Sequence, residues 1–239
     1  MTLKMSGFNI HIVFDLLAAS LSLVGTYLAY TWRLRAANAM ALGKLSTGYG
    51  IALVTGAAVG GYGLGSANLI LSEIPMVGRS IVGALAGATL AIEIYKRFRG
   101  IVGSTGVIFV IGFTTTVAVG RIGCLLSGLE DQTHGIPTGA SWGWDFGDGI
   151  LRHPVQLYES TAMAVFLVGA VIALAVRSPF FLKNGFYLMV GFYAAQRFIW
   201  EFLKPYTSIA GPLNLFHFVC LSLIAYAIYM ILRSKDART

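Results

Sequence analysis

Residues 120–159 read GRIGCLLSGL EDQTHGIPTG ASWGWDFGDG ILRHPVQLYE. From Arg121 to Glu159 this stretch holds two arginines, two histidines, five acids and a tyrosine, with many turn-forming glycines. Apolar runs flank it on both sides. A polar, turn-rich insert between apolar runs of spanning length is where a membrane enzyme keeps its chemistry.

Composition agrees with that reading. Of the 239 residues, 56% are hydrophobic and 11% charged, whereas a soluble domain carries about 25% charged residues. Lipid rather than water therefore surrounds most of the surface, and residues 1–239 read as one integral membrane domain. A spanning helix needs roughly 20 mostly apolar residues. Seven segments qualify: 9–31, 48–71, 77–95, 102–123, 154–176, 184–203 and 211–232. Segments four and five bracket the insert at 124–153. The start of the chain has one lysine and no small-residue cleavage site, so the first segment is expected to be a retained helix.

The net charge of +7 suggests nucleic acid until the charges are placed. With the N-terminus outside, the inner loops hold Arg33, Arg35, Lys44, Lys96, Arg97, Arg99, Arg177, Lys183, Arg233, Lys235 and Arg238. That is eleven of the seventeen basic residues, an inside excess of the kind that orients membrane proteins. The remaining six are Lys4, Arg79, Arg121, Arg152, Arg197 and Lys204. The basic balance is thus a topology signal, and no nucleic-acid partner is expected. The fold expected is an all-α integral membrane protein of seven transmembrane helices. Its C-terminus is cytoplasmic, and a small extracytoplasmic cap is built from the insert.

The two cysteines, Cys124 and Cys220, fall on different helices and give neither a disulfide framework nor a metal-ligand spacing. No metal and no cofactor are expected. Gly56/Gly60, Gly61/Gly65 and Gly83/Gly87 are small-xxx-small pairs that let helix backbones approach closely.

Charges inside a bilayer are expensive and are paired or functional. Glu93 sits beside Lys96 and Arg97, where an interfacial ion pair explains it. Asp15 lies deep in an apolar run, as a structural carboxyl or as the lining of a polar cavity. Tyr193, Arg197 and Glu201 share one face of the sixth helix. An internal Arg197–Glu201 pair is the plain reading of that face. Arg121 and Arg152, however, converge on the same membrane face, with too few nearby carboxylates to neutralise every arginine. Such a group suits a phosphate, whose oxygens match the guanidinium fork. The phosphate present at that depth is a phospholipid headgroup.

In RHPVQLYE, Pro154 suits a helix first turn, His153 falls near the N-cap, and Gln156, Tyr158 and Glu159 project from the first turns. His153 serves either as a proton acceptor or as a cap; spacing does not choose. His11, His134 and His217 read as structural. Cys124 lies three residues after Arg121, on its face, which permits an activated thiol as well as a simple helix contact. The Asp145–Gly147 DFG lacks every other kinase element. The acids Glu130, Asp131, Asp145 and Asp148 fit no calcium loop.

GRIG at 120–123, Gly135-Ile-Pro-Thr138, Arg152-His-Pro-Val-Gln-Leu-Tyr-Glu159 and GFYAAQRFIWEF at 191–202 together resemble the prolipoprotein diacylglyceryl transferases. The resemblance spans most of the chain, and RHP-x-QLYE is its most specific part. It implies transfer of the diacylglyceryl unit of phosphatidylglycerol to the lipobox cysteine thiol of a preprolipoprotein, with release of glycerol phosphate. A bacterial cytoplasmic (inner) membrane location is implied as well. Carried over, Arg121 and Arg197 correspond to the essential arginines that hold phosphate, and Gly135 to the loop glycine. His153, Gln156, Tyr158 and Glu159 correspond to the signature of the fifth helix. The resemblance thus implies a site with Arg121, Arg197, His153 and Tyr158 as catalytic residues. Arg152, Gln156, Glu159, Glu201, Gly135 and Cys124 are expected to contact substrate.

Three positions depart from the family. Its HGGL-type motif appears as Ile81-Val82-Gly83-Ala84-Leu85, without the histidine. Its asparagine after GRIG is Cys124. The tyrosine expected early in helix one is absent, leaving His11 and Asp15 as the polar groups there. The donor-phosphate half looks kept and the acceptor half altered. Alternatives are therefore the same donor with another acceptor, or a non-catalytic phospholipid-binding or transport protein.

Overall fold

The computed structural model describes residues 7–35, 46–74 and 76–236. Lys4, Lys44 and Arg238, used above to orient the chain, lie outside the described residues. The long helices are α1 (Gly7–Ala29), α2 (Thr47–Leu71), α3 (Ile81–Phe98), α4 (Val110–Leu126), α5 (Val155–Ala175), α6 (Pro179–Glu201) and α7 (Leu215–Asp236). Each overlaps one of the seven expected segments, with ends displaced by several residues. A π-helical turn, Tyr30–Leu34, extends α1, and a 3-10 turn, Val107–Phe109, leads into α4.

Among the described residues, five spans are long and apolar enough to cross a membrane: Ile10–Leu34, Thr47–Leu71, Val107–Leu126, Val155–Ala175 and Leu215–Ser234. Helices α3 and α6 fall short of that measure because charged and polar side chains interrupt them, Glu93, Lys96 and Arg97 in one and Arg197 and Glu201 in the other. Lys96 in α3 and Arg197 and Glu201 in α6 are buried, whereas Arg97 is exposed.

Serines set several helix starts. The Ser46, Ser80 and Ser178 hydroxyls accept from the backbone N–H groups of Tyr49, Gly83 and Phe181. The Ser178 cap with Pro179 at the first turn starts α6 five residues before the segment expected at 184.

Helices pack as α1 on α4, α2 on α3, α4 on α5, and α6 on both α5 and α7. Helix α4 lies at the centre: 56% of its span is buried, against 11% for α1. Val117, Met189, Val190 and Tyr193 form the interior, while Leu16, Leu23, Val59 and Val165 face outward. That inversion of a soluble surface is what a lipid environment selects.

The α2–α3 contact is made by backbone. A Cβ on Gly60 would collide with the Gly83 carbonyl, and one on Gly87 with the Gly56 carbonyl. Close approach between these helices is thus conditional on the absence of side chains.

The insert is not wholly irregular, as an all-α chain would require. After a 3-10 turn at Gly128–Asp131 come two short antiparallel strands, β1 (Trp144–Asp145) and β2 (Leu151–Arg152). Thr138 N–H donates to the Leu151 carbonyl, and Ile136 N–H to the Leu203 carbonyl at 2.8 Å. The insert is thereby tied across the ends of α5 and α6. Gly147 and Gly149 take φ of 100° and 79° in the turn, a region open to glycine.

Gly60→Leu is expected to cost at least about 1–3 kcal/mol by overpacking. Its Tm in detergent micelles should fall, whereas Gly63→Ala, facing open space, should leave Tm unchanged or raised.

Candidate active site

Arg121 lies in the last turns of α4, Glu159 in the second turn of α5, and Arg197 and Glu201 in the last turns of α6. Lys204 follows in the turn after α6. All five are buried. Because α4 and α5 meet at the insert, and α6 ends beside it, these groups come to one end of the bundle.

Glu159 is the hub. Arg121 Nε stands 2.7 Å from its Oε2 and Lys204 Nζ 3.0 Å from its Oε1, while Arg197 donates an NH1 hydrogen to Oε1. Arg197 NH2 pairs with Glu201 Oε2 at 2.8 Å, and Asn214 donates to Glu201 Oε1 at 3.1 Å. Three cations thus meet two carboxylates, leaving one positive charge in excess. Carboxylates are not short here: Glu159 and Glu201 fill much of the role expected of an external anion. The remaining demand is for about one negative charge. Arg197 Nε, although buried, has no hydrogen-bond partner among the described residues. Burial, then the charge of Arg197, lowers the pKa of Lys204 to about 8 against the pull of Glu159.

Arg121 and Arg197 both face a chamber of about 730 Å³ enclosed by α1, α2, α3 and α4 and the start of the insert. Its far walls are apolar, including Ala18, Leu23, Ala57 and Leu69. One polar headgroup end and one apolar end is the division a phospholipid requires.

A second polar group lines that chamber beside Arg121. His11 Nδ1 is 3.0 Å from Asp15 Oδ2, and His11 Nε2 is 2.9 Å from Asp131 Oδ1. Cys124 Sγ lies 3.8 Å from His11 Nε2 and 3.9 Å from Arg121 NH1. Arg79 NH1 is 3.6 Å from Asp15. Burial would raise the Asp131 carboxyl, but hydrogen bonds from His11 and Thr133 outweigh it and hold the pKa below the usual range.

Other expected site residues fall elsewhere. Arg152 does not join the arginine cluster. Its guanidinium is clamped by both Asp148 oxygens at 2.8 Å, within the hairpin, and it holds Asp148 down near a pKa of about 2. His153 and Tyr158 do not line the chamber. The Tyr158 hydroxyl meets His153 Nδ1 at 3.3 Å and accepts from Trp142 Nε1 at 3.0 Å, on the hairpin side of α5. Adjacent helix positions point roughly 100° apart, so Tyr158 faces the cap while Glu159 faces the cluster. Neither is the His153 ring a helix cap: Pro154 holds the N-cap position without a side-chain bond. Gln156 is fully buried, and donates to Thr133 Oγ1 at 3.3 Å. Gly135 is needed because a Cβ there would collide with the His153 carbonyl. These residues hold the insert against α5.

Sequence reasoning passed over Lys204, Arg79, His11 and Asp131 as site residues. A signal existed for one pair: His11 and Asp15 are four apart, on one helix face. Val82, where the family histidine was expected, is fully buried and absent from the chamber wall.

Glu159→Gln should leave three buried cations facing one carboxylate. The loss expected is about 3–5 kcal/mol, the range for stranding a buried charge, read as a lower Tm in detergent. Arg152→Gln, at the exposed hairpin, should leave Tm nearly unchanged.

A family model described as prolipoprotein diacylglyceryl transferase matches residues 4–233. A phosphatidylglycerol--prolipoprotein diacylglyceryl transferase of Nitratidesulfovibrio vulgaris is 30% identical over 173 residues, covering 67% of this chain and 62% of that protein. One from Wolbachia pipientis is 33% identical over 138 residues, covering 53% of this chain and 49% of that protein. The chain thus spans less than two thirds of the curated relatives it matches. No solved structure matches it significantly.

Proposed function

Because the chain belongs to the prolipoprotein diacylglyceryl transferase family, we propose that it moves the diacylglyceryl group of phosphatidylglycerol to the thiol of a lipobox-containing preprolipoprotein, releasing glycerol phosphate. The observation that carries this reading is the Glu159-centred cluster, one positive charge in excess, opening on a chamber with an apolar far end. A phosphodiester brings the single negative charge that the cluster needs.

In this reaction the acceptor thiol loses its proton, and sulfur attacks the glyceryl carbon that bears the phosphate. A C–S bond forms and the C–O bond breaks. The departing phosphate passes from one negative charge to two. Arg121 and Arg197 sit where that second charge develops, so their contribution is larger in the transition state than with bound lipid. Glu159 positions both guanidinium groups, and Glu201 steadies Arg197. Gln156, Gly135, His153, Tyr158 and Arg152 act by holding the insert over this end. All seven helices span a bacterial inner membrane, with the N-terminus and the insert outside and the C-terminus in the cytoplasm. Helix α6 crosses despite its charges because Arg197 and Glu201 face the cluster, and α3 because Glu93 pairs with Lys96 at 2.9 Å near its end.

The acceptor side also supports a second reading, in which the donor is the same and the nucleophile is another molecule. Val82 removes the expected histidine, and the groups facing the chamber there are His11, Asp15, Cys124 and Asp131.

Purified protein given labelled phosphatidylglycerol and a lipobox peptide should release glycerol phosphate only when the peptide cysteine is present. Release that needs a different acceptor supports the second reading, and retained lipid binding with no release under any acceptor refutes both. Arg121→Ala and Arg197→Ala should each lower turnover by about 100-fold or more, the scale of losing one transition-state donor. Full activity in either variant refutes its phosphate role.

Lipid binding should carry a pH signature. Lys204 loses its proton as pH rises through about 8, which removes the excess positive charge. Affinity for the phosphodiester should therefore fall above that pH, and Lys204→Met should flatten the profile.

A further inference from the structure

His11, Cys124 and Asp131 come from α1, α4 and the 3-10 turn after it. One donor atom from each lies within 4.8 Å of the other two. An ion bound tetrahedrally at about 2.0–2.3 Å by nitrogen, oxygen and sulfur has ligand edges of roughly 3.3–3.8 Å. The Nε2–Sγ separation of 3.8 Å meets that, and the Nε2–Oδ1 separation of 2.9 Å needs an opening of a few tenths of an ångström.

The two nitrogens of His11 face different surroundings. Nδ1 meets Asp15 alone, while Nε2 meets both Asp131 and Cys124. A metal-bound histidine typically donates its other N–H to a carboxylate, which fixes the ring and strengthens the ligand. Asp15 occupies that position. A plain hydrogen-bond network explains the two carboxylates only with a doubly protonated ring, the sulfur then being shared between Nε2 and Arg121 NH1. Charge also fits. A Cys124 thiolate and the Asp131 carboxylate balance one divalent ion, and Arg79 offsets Asp15.

We propose that His11, Cys124 and Asp131 bind one divalent transition-metal ion, with zinc best suited to this nitrogen, sulfur and oxygen set. Linear spacing does not show the site because its ligands come from three elements. All three residues line the chamber, so the fourth position opens into it. A thiol entering there would displace water, release its proton to solvent and bind as a thiolate. It would then face the phospholipid held by Arg121 and Arg197. That last step rests on the transferase reading; metal binding does not.

The test uses the full-length protein in detergent with its affinity tag removed. Elemental mass spectrometry should find about one zinc per chain. After chelation, titration with cobalt should give tetrahedral visible bands and a thiolate charge-transfer band in the near ultraviolet. Cys124→Ser should abolish that band. Cys124→His should keep stoichiometric zinc without the band, and so tests the site in a variant that retains a ligand. Asp15→Asn should weaken zinc affinity by about 10–100-fold, the usual effect of removing an orienting carboxylate. Absence of stoichiometric zinc and of cobalt bands in the wild-type protein overturns the site, as does equal zinc binding by His11→Ala or Asp131→Asn protein that still binds phosphatidylglycerol. Transfer at full rate by metal-free protein refutes the catalytic step alone. Stoichiometric zinc without transfer to any thiol leaves the site standing and removes the transferase reading.

Discussion

A carboxylate with no exposure to solvent, Glu159, holds three cations from three parts of the chain. The rest of this structure depends on that arrangement. Burying a single charge is prohibitive, and burying a matched pair is close to neutral. Burying three against two leaves a site that is stable enough to form but electrostatically incomplete. An anion completes it. The same group that closes the helix bundle at one end therefore also sets what can bind there.

The helix arrangement follows from this need. Helix α4 brings Arg121, α5 brings Glu159 and α6 brings Arg197, so these three must end together. The insert satisfies that by crossing their ends, held by Gly135 against His153 and by Ile136 against Leu203. The glycine-lined contact of α2 with α3 keeps those two helices tight against each other while the chamber stays open between them and α1 and α4. Beside Arg121, the His11–Asp131 contact ties the start of α1 to the insert, so that the polar groups of the chamber are continuous.

The helices were legible because a bilayer imposes a simple constraint: long apolar runs separated by charged loops. Glu159, Arg197 and Glu201 stood out by their cost inside a membrane, and Arg121 by its place where the fourth segment meets the insert. Partner choice was not. Spacing along the insert could not show that Arg152 would turn to Asp148, four residues back across a hairpin turn, instead of joining the other arginines. Nor could it show that Tyr158 would face the cap while its neighbour Glu159 faced the cluster. Lys204 and Asp131 were not taken as site residues because Glu159 and His11, the partners that place them there, are distant in sequence. His11 was read as structural because a lone histidine near a helix end usually is. Its significance appears only when Cys124 and Asp131 arrive from other elements.

The central claim is that the excess charge around Glu159 holds a lipid phosphate. A structure determined in nanodiscs containing phosphatidylglycerol addresses it directly. The account predicts a headgroup phosphate within hydrogen-bonding reach of both Arg121 and Arg197, with its acyl chains running toward Leu23 and Ala57. A lipid phosphate bound elsewhere, with those two guanidinium groups engaged only by Glu159 and Glu201, would contradict it.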